Sequence, residues 1–179
     1  MSQIANTYAE ALYTLAAEEQ LDATIGEELA VLRQSFAAEP AFIRLLGNPA
    51  LPKEERCRVL DDSFRGKVQP YVLNFLKILT EKGYIRHFDH CCQAYRDCYN
   101  QAHDILPVTA TSALPLNTDQ QQRLTAKLAT LTGKTVELTN KVDPSVLGGI
   151  RLDYDGKQVD DTVRHRMDSV RDLLQNTVL

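Results

Sequence analysis

Along the first hundred residues, apolar positions recur every three or four places, the period that gathers side chains on one face of an α-helix. Starting from Ile4, a rotation of about 100° per residue puts Ile4, Tyr8, Leu12 and Leu15 on one side with Ala5, Ala11 and Ala16, a face small enough for another backbone to approach closely. The pattern predicts a second helix over residues 21–38, stopped ahead of Pro40 because a proline pushes its predecessor out of helical geometry. A short helix over 42–46 runs into Gly47-Asn48-Pro49, a strong turn signal. Pro52 suits the first turn of the next helix, where Glu54 and Glu55 meet the positive end of the helix dipole. Residues 68–82 form the broadest apolar helix. Val68, Val72, Phe75 and Leu79 make its central stripe, and Leu73, Leu76, Tyr71 and Ile78 flank it over an arc of about 220°. Such a helix is either the centre of a bundle or is covered on a second side by another chain. Gly83 ends it, and residues 84–102 carry Tyr84, Phe88, Cys91, Cys92, Tyr95, Cys98 and Tyr99 on one face. Helices of this kind with short connections predict an antiparallel bundle.

After Asp104 the period shortens. Residues 105–113 are rich in β-branched side chains and read as a strand, and Asn117 or Thr118 is placed to cap a helix reaching Leu131, with Leu124, Leu128 and Leu131 inward. Residues 134–142 alternate, with Val136, Leu138 and Val142 on one face and Thr135, Glu137, Thr139 and Lys141 on the other. Ile150, Leu152 and Tyr154 alternate in the same way, and Asp155-Gly156 is hairpin-turn chemistry. A last helix starts near Asp160, with Asp160 and Asp161 at its N-terminus and Val163, Met167, Val170 and Leu174 along one side. The expected fold is therefore mainly α: a helical bundle over 1–104, then a small α/β domain over 105–179.

Charge and composition narrow the function. Twenty basic against 24 acidic residues leave a net charge of -4, without the positive field that phosphate backbones demand. With 44% apolar and 25% charged residues, the chain is composed as a globular protein able to bury a core without metal or disulfide staples. No run approaches the roughly 20 apolar residues that span a bilayer. The N-terminal segment has Glu10, Glu18 and Glu19 and no arginine before Arg33, unlike a secretory or transit signal. Four cysteines at helical spacing point to a reducing compartment.

Candidate chemistry is thin. His87, His90, Cys91, Cys92 and Cys98 suggest a metal site at first sight, but on one helix His90 and Cys92 point about 160° apart, and zinc needs four converging ligands. The three cysteines also fall within or beside the apolar stripe, where a thiol acts as a small hydrophobe. Gly148-Gly149 lacks the lysine and spacing of a phosphate loop and reads as a tight turn. Arg164, Arg166 and Arg171 could meet an acidic partner or be solvated surface, and no catalytic triad is supported. The residues alone reach a binding module, with a metal- or redox-responsive protein and an unrelated helical adaptor as alternatives.

Taken in order, the segments resemble the delta subunits of bacterial and chloroplast F-type ATP synthases, called the oligomycin-sensitivity-conferring protein in mitochondria. The likeness is carried by Tyr8-Ala9-Glu10-Ala11-Leu12, Leu46-Gly47-Asn48-Pro49, Asn74-Phe75-Leu76-Lys77-Ile78-Leu79, and above all Val142-Asp143-Pro144-Ser145-Val146-Leu147-Gly148-Gly149-Ile150 followed by Asp161-Thr162-Val163-Arg164. The family has an arginine directly after the glycine closing the fifth helix, where this chain has Tyr84 and places Arg86 two positions on. The resemblance implies a non-catalytic stator subunit without cofactor or metal. Its N-terminal six-helix domain would hold the N-terminal helices of the alpha subunits, and its C-terminal domain the C-terminal ends of the b subunits. It would sit peripherally on the cytoplasmic face of a bacterial cell membrane, held there by the complex and with no insertion of its own. By position, Tyr8, Ala11, Leu12 and Leu15 would face Asn74, Leu76 and Leu79 across the alpha-binding groove, and Asp143, Pro144, Gly148 and Gly149 would form the family motif. Cys57, Cys91, Cys92 and Cys98 have no role that the family suggests.

Overall fold

A computed structural model describes residues 3–146, 148–160 and 162. The chain divides into two compact units, Met1–Tyr99 and Asn100–Leu179, five residues ahead of the boundary read at Asp104. Among the described residues it is mainly helical, with seven α-helices and a sheet of four strands.

The first unit contains α1 (Gln3–Glu18), α2 (Asp22–Ala38), α3 (Pro40–Leu46), α4 (Lys53–Phe64), α5 (Pro70–Glu81), a 3-10 turn (Ile85–His87) and all but the last three residues of α6 (Phe88–Ala102). Proline sets several boundaries. Pro40 opens α3 two residues before the expected start, since its fixed φ suits a first helical turn. Pro52 stands just outside α4, and Pro70 starts α5, leaving Val68 ahead of the helix and half-buried against the core. Gly83, at φ 77°, closes α5: its N–H bonds to Thr80 O at 3.2 Å and that of Tyr84 to Leu79 O at 2.7 Å, so the last carbonyls are satisfied. The chain then tightens into the 3-10 turn, so α6 begins at Phe88, not Tyr84.

One continuous core runs through this unit. Ala5, Ala9, Leu12 and Ala16 of α1 and Ile25, Leu29, Leu32 and Phe36 of α2 belong to it, with six residues of α5: Val72, Leu73, Phe75, Leu76, Leu79 and Thr80. Phe36 lies 5.5, 6.0 and 5.1 Å from the rings of Phe42, Phe64 and Phe88, so a single side chain ties α2 to α3, α4 and α6. Tyr95 is fully buried and donates its hydroxyl to Asp22 O at 2.9 Å, and its ring meets Tyr13 edge-on at 5.6 Å. The ring passes Gly26, where a Cβ would lie 3.5 Å from Tyr95 Cε1. Arg56, only 6% exposed, reaches in from α4 and donates through Nη1 to Leu46 O at 2.8 Å and Thr80 O at 3.3 Å. A buried cation thus meets carbonyls at the negative ends of α3 and α5.

The second unit is built from β1 (Ile105–Ser112), α7 (Thr118–Thr132), β2 (Thr135–Val142), a 3-10 turn (Pro144–Val146), β3 (Ile150–Tyr154) and β4 (Lys157–Asp160), in sheet order β2-β1-β3-β4. β1 and β2 are parallel, which requires the crossover that α7 supplies, and β3 runs antiparallel on the other side of β1. Asn117 caps α7 in a reciprocal pair with Gln120, at 2.8 and 3.0 Å, and Gly133 ends it at φ 70°. Leu128 is buried and Leu124 half-buried over Leu106 and Val108. Two readings are corrected. Leu131, in the last turn of α7, is 76% exposed and Val142, at the end of β2, is 44% exposed, because the periodic stripe outruns the surface it covers at each end. The inward position expected to continue the β2 stripe is held by Asn140, which donates to Ala110 O and Ser112 Oγ at 2.9 Å and accepts from Leu116 N at 2.9 Å. Asp155 and Gly156, at φ 48° and 68°, make the two-residue hairpin turn with both central residues left-handed. The helix expected after Asp160 lies outside the described residues.

Two stability changes of opposite sign follow. Gly26→Ala is expected to raise the urea midpoint, by about 0.5–1 kcal/mol of stability, because alanine is the better helix former and the new methyl meets Tyr95 at ordinary contact distance. A lowered midpoint would mean that Tyr95 has no room. Arg56→Met, which strands two buried carbonyls, is expected to cost about 2–4 kcal/mol in the same measurement, with Arg56→Lys recovering part of the loss.

Candidate functional site

α1 and α5 pack against each other, and each presents one face inward and another outward. Of the positions read as a partner groove, Leu12, Leu76 and Leu79 are buried within the helical unit itself, at 4%, 0% and 0% exposure. Tyr8 is half-buried, its ring 6.1 Å from that of Tyr84. Ala11, Leu15 and Asn74 are exposed. The outward apolar residues are Ile4 and Leu15 on α1, at 39% and 48%, and Ile78 on α5, at 43%, with Tyr71 half-buried about two turns before Ile78. Ile78 was legible as a flank of the α5 stripe and Ile4 as part of the α1 stripe. What the spacing could not tell is which flank a neighbouring helix covers. The arc of α5 is used mainly inside the unit, against α4, α1, α2 and the 3-10 turn.

Other motif residues of these helices have structural partners. Lys77 reaches Asp61 of α4 at 2.7 Å, and Arg65 reaches the same carboxylate at 3.1 Å. The Lys77 hydrogen bond, with that from Arg65, holds the Asp61 carboxyl below the usual range. Gly47 lies against Arg86: a Cβ there would come within 3.1 Å of Arg86 Nε and 3.2 Å of Ile43 O, which accounts for glycine in the turn after α3.

The sulfur and imidazole groups do not converge. Among the described residues no group of three His, Cys, Asp or Glu side chains is arranged to hold a metal ion. Cys91 and Cys92 lie in the core, where burial pushes their thiols up to about 11 and about 12, while Cys57 and Cys98 are half-buried. His87 and His90 are neighbours on the surface, ring centroids 6.2 Å apart.

The Asp-Pro-Ser motif is a reversal built from backbone geometry. Asp143 N bonds to Ser112 O at 2.9 Å, fixing the end of β2 to that of β1. The Asp143 carboxylate accepts from Ser145 N at 2.9 Å, and its hydrogen bonds to Ser145 lower its pKa from the ordinary value. Pro144 opens the 3-10 turn, Val146 is buried, and Gly148 and Gly149 take φ of 153° and 84°. The turn carries the chain from β2, on one side of β1, to β3 on the other, and the glycines permit angles that a Cβ resists. Leu147, Asp161, Val163 and Arg164 lie outside the described residues, as do Arg166 and Arg171. Thr162 is buried, and its N–H bonds to Asp160 Oδ1 at 2.9 Å.

Residues 4–174 match the family model described as the ATP synthase delta (OSCP) subunit. The chain is 30% identical over 176 residues to the ATP synthase subunit delta of Alkaliphilus oremlandii, covering 98% of each chain. It is 33% identical over 167 residues to that of Synechococcus elongatus, covering 93% of each. A chain in the Toxoplasma gondii mitochondrial ATP synthase hexamer superimposes with a TM-score of 0.76 at 18% identity, over 97% of this chain and 98% of that one, a likeness of fold.

Thiol chemistry provides a test of the core assignment. A thiol reagent at about pH 8 should label Cys57 and Cys98 well before Cys91 and Cys92 in the folded protein. The pH dependence has a definite sign. An unfolded chain ionises its thiols from about pH 8.5, whereas the folded one holds Cys91 and Cys92 protonated to about 11 and about 12, so their contribution to stability is whole below the first value and is lost as pH rises towards the others. Urea midpoints should fall across that alkaline window, and less steeply in Cys91→Ala/Cys92→Ala. Equal labelling of all four thiols would contradict the packing of α6.

Proposed function

We propose, for a chain that belongs to the ATP synthase delta (OSCP) subunit family, that its helical unit holds the N-terminal helices of the alpha subunits and its α/β unit the C-terminal ends of the b subunits. The protein is a non-catalytic, stalk-linking subunit of ATP synthase, a membrane-associated complex. The other subunits hold it on the cytoplasmic face of a bacterial cell membrane. No helix among the described residues is long and apolar enough to cross a membrane.

A stator must resist the torque of the rotor so that proton-driven rotation is converted into ATP synthesis and the catalytic head does not turn with the shaft. That task needs slow dissociation, which comes from well-buried apolar anchors. Two units holding different parts of one assembly reinforce each other, since release of one leaves it at high effective concentration beside its partner. In this reading the first unit, α1–α6, acts as one six-helix bundle corresponding to residues 1–104, and residues 105–179 make the second grip. The turn at Asp143, Pro144, Gly148 and Gly149 keeps β3 and β4 on the correct side of β1.

The observation that supports the alpha-subunit site best is the apolar surface left outward on the two motif-bearing helices: Ile4 and Leu15 on α1 and Ile78 on α5, with Tyr8, Ala11 and Asn74. An amphipathic helix lays its apolar stripe on such a surface. Leu12, Leu76 and Leu79 support the site from beneath, holding α1 to α5.

Calorimetry with a peptide of the alpha subunit's N-terminus should give saturable binding to the full chain. Leu15→Asp and Ile78→Asp are each expected to weaken it about tenfold or more while circular dichroism stays unchanged. If a folded sample binds no peptide, or both variants bind as the parent does, this surface is not the alpha-subunit site.

A further inference from the structure

A cleft of about 580 Å³ opens on a part of the first unit that the stator reading does not use, between α2, α3 and the 3-10 turn before α6. Its floor is Phe36, Ile43, Ile85 and Phe88. Ile85, Phe88 and Phe36 are core residues at 0%, 2% and 7% exposure, so the floor is part of the rigid interior. The mouth is cationic: Arg33, Arg44 and Arg86 stand there against one carboxylate, Asp89. Arg33 is paired with Asp89. Arg44 has no ion pair among the described residues, and Arg86 makes only a 3.5 Å bond to Gly47 O, which leaves most donors of both guanidiniums open.

Volume and charge together select the occupant. The volume lies in the range of small-molecule sites, which are mostly apolar with a few placed polar groups. A helix from a partner needs a trough several turns long, whereas α3 has only seven residues, about 10 Å, and is joined to α2 by the single residue Glu39. Two cations lacking a carboxylate beside an apolar floor match a molecule with an aliphatic body and an anionic head. Guanidinium groups hold carboxylates through paired, charge-assisted hydrogen bonds.

We propose that this cleft is a binding site for a small amphipathic carboxylate, an aliphatic acid whose chain lies on Phe36, Ile43, Ile85 and Phe88 and whose head is met by Arg44 and Arg86. The site is separate from the outward face of Ile4, Leu15 and Ile78, and it stands or falls independently of alpha-subunit binding.

The probe is decanoate, titrated into the full chain below its micellar concentration and followed by calorimetry and amide NMR shifts. Saturable one-to-one binding is expected, with shifts centred on Ile43, Ile85 and Phe88. Arg44→Gln and Arg86→Gln, both exposed positions that should leave the fold intact, are each expected to weaken it about tenfold, and uncharged decanol should bind more weakly by a similar factor. The proposal is overturned if decanoate does not saturate, if decanol binds as well, or if the shifts fall elsewhere. It is equally overturned if an acidic amphipathic peptide shifts these amides and decanoate does not, since the cleft then serves a protein.

Discussion

The helical unit depends on the burial of α5. Val72, Leu73, Phe75, Leu76, Leu79 and Thr80 withdraw from water on an arc too wide for one neighbour to cover. At roughly 25 cal/mol per Å² of apolar surface, leaving such a helix half-covered would forfeit several kilocalories per mole in a fold whose net stability is only about 5–15. α4, α1, α2 and the 3-10 turn all pack against it. Ala5, Ala9 and Ala16 form most of the buried face of α1, so a close helix–helix approach is possible there without overpacking. Arg56 adds a polar constraint to the apolar one: by donating to Leu46 O and Thr80 O it links the C-terminal ends of α3 and α5.

For a mechanical link this arrangement has a direct consequence. Load applied to the outward face of α1 and α5 is passed to residues already locked in a common core, not to a loop. In the proposed alpha-subunit site the outward remainder of Ile4, Leu15 and Ile78 is small, and a larger exposed patch invites association with the wrong partners. Burial raises the Cys91 and Cys92 thiols, and both side chains belong to the packing of the helical core.

The second unit reaches its order by different means. Its apolar cluster is small, with Leu106, Val108 and Leu128 as the buried members, so directional bonds matter more. Asn140 of β2 donates to Ala110 and Ser112 of β1 and accepts from Leu116 N, tying the chain between β1 and α7 to the sheet, and Asn117 and Gln120 satisfy the start of α7. Asp143 and the two glycines then reverse the chain across the end of β1. The most recognisable motif of the chain is thus a backbone device that decides strand order.

As far as Asp160 the sequence by itself determined most element types and limits, because helix and strand periods, proline positions, the cap at Asn117 and the turns at Gly83 and Asp155-Gly156 are local properties written in neighbouring residues. It also determined the family, through motifs whose order along the chain is specific. Only the tertiary structure decided which side of each helix faces inward. Leu12 and Leu15 lie about 60° apart on one turn of α1, and Leu76 and Ile78 lie on one helix, yet Leu12 and Leu76 are core while Leu15 and Ile78 meet solvent. The same holds for Leu131, periodic with Leu128 but exposed, and for the cleft lined by Phe36, Ile43, Ile85 and Arg86, drawn from three segments that no spacing connects. Burial depends on what packs opposite, and the opposite wall comes from distant parts of the chain.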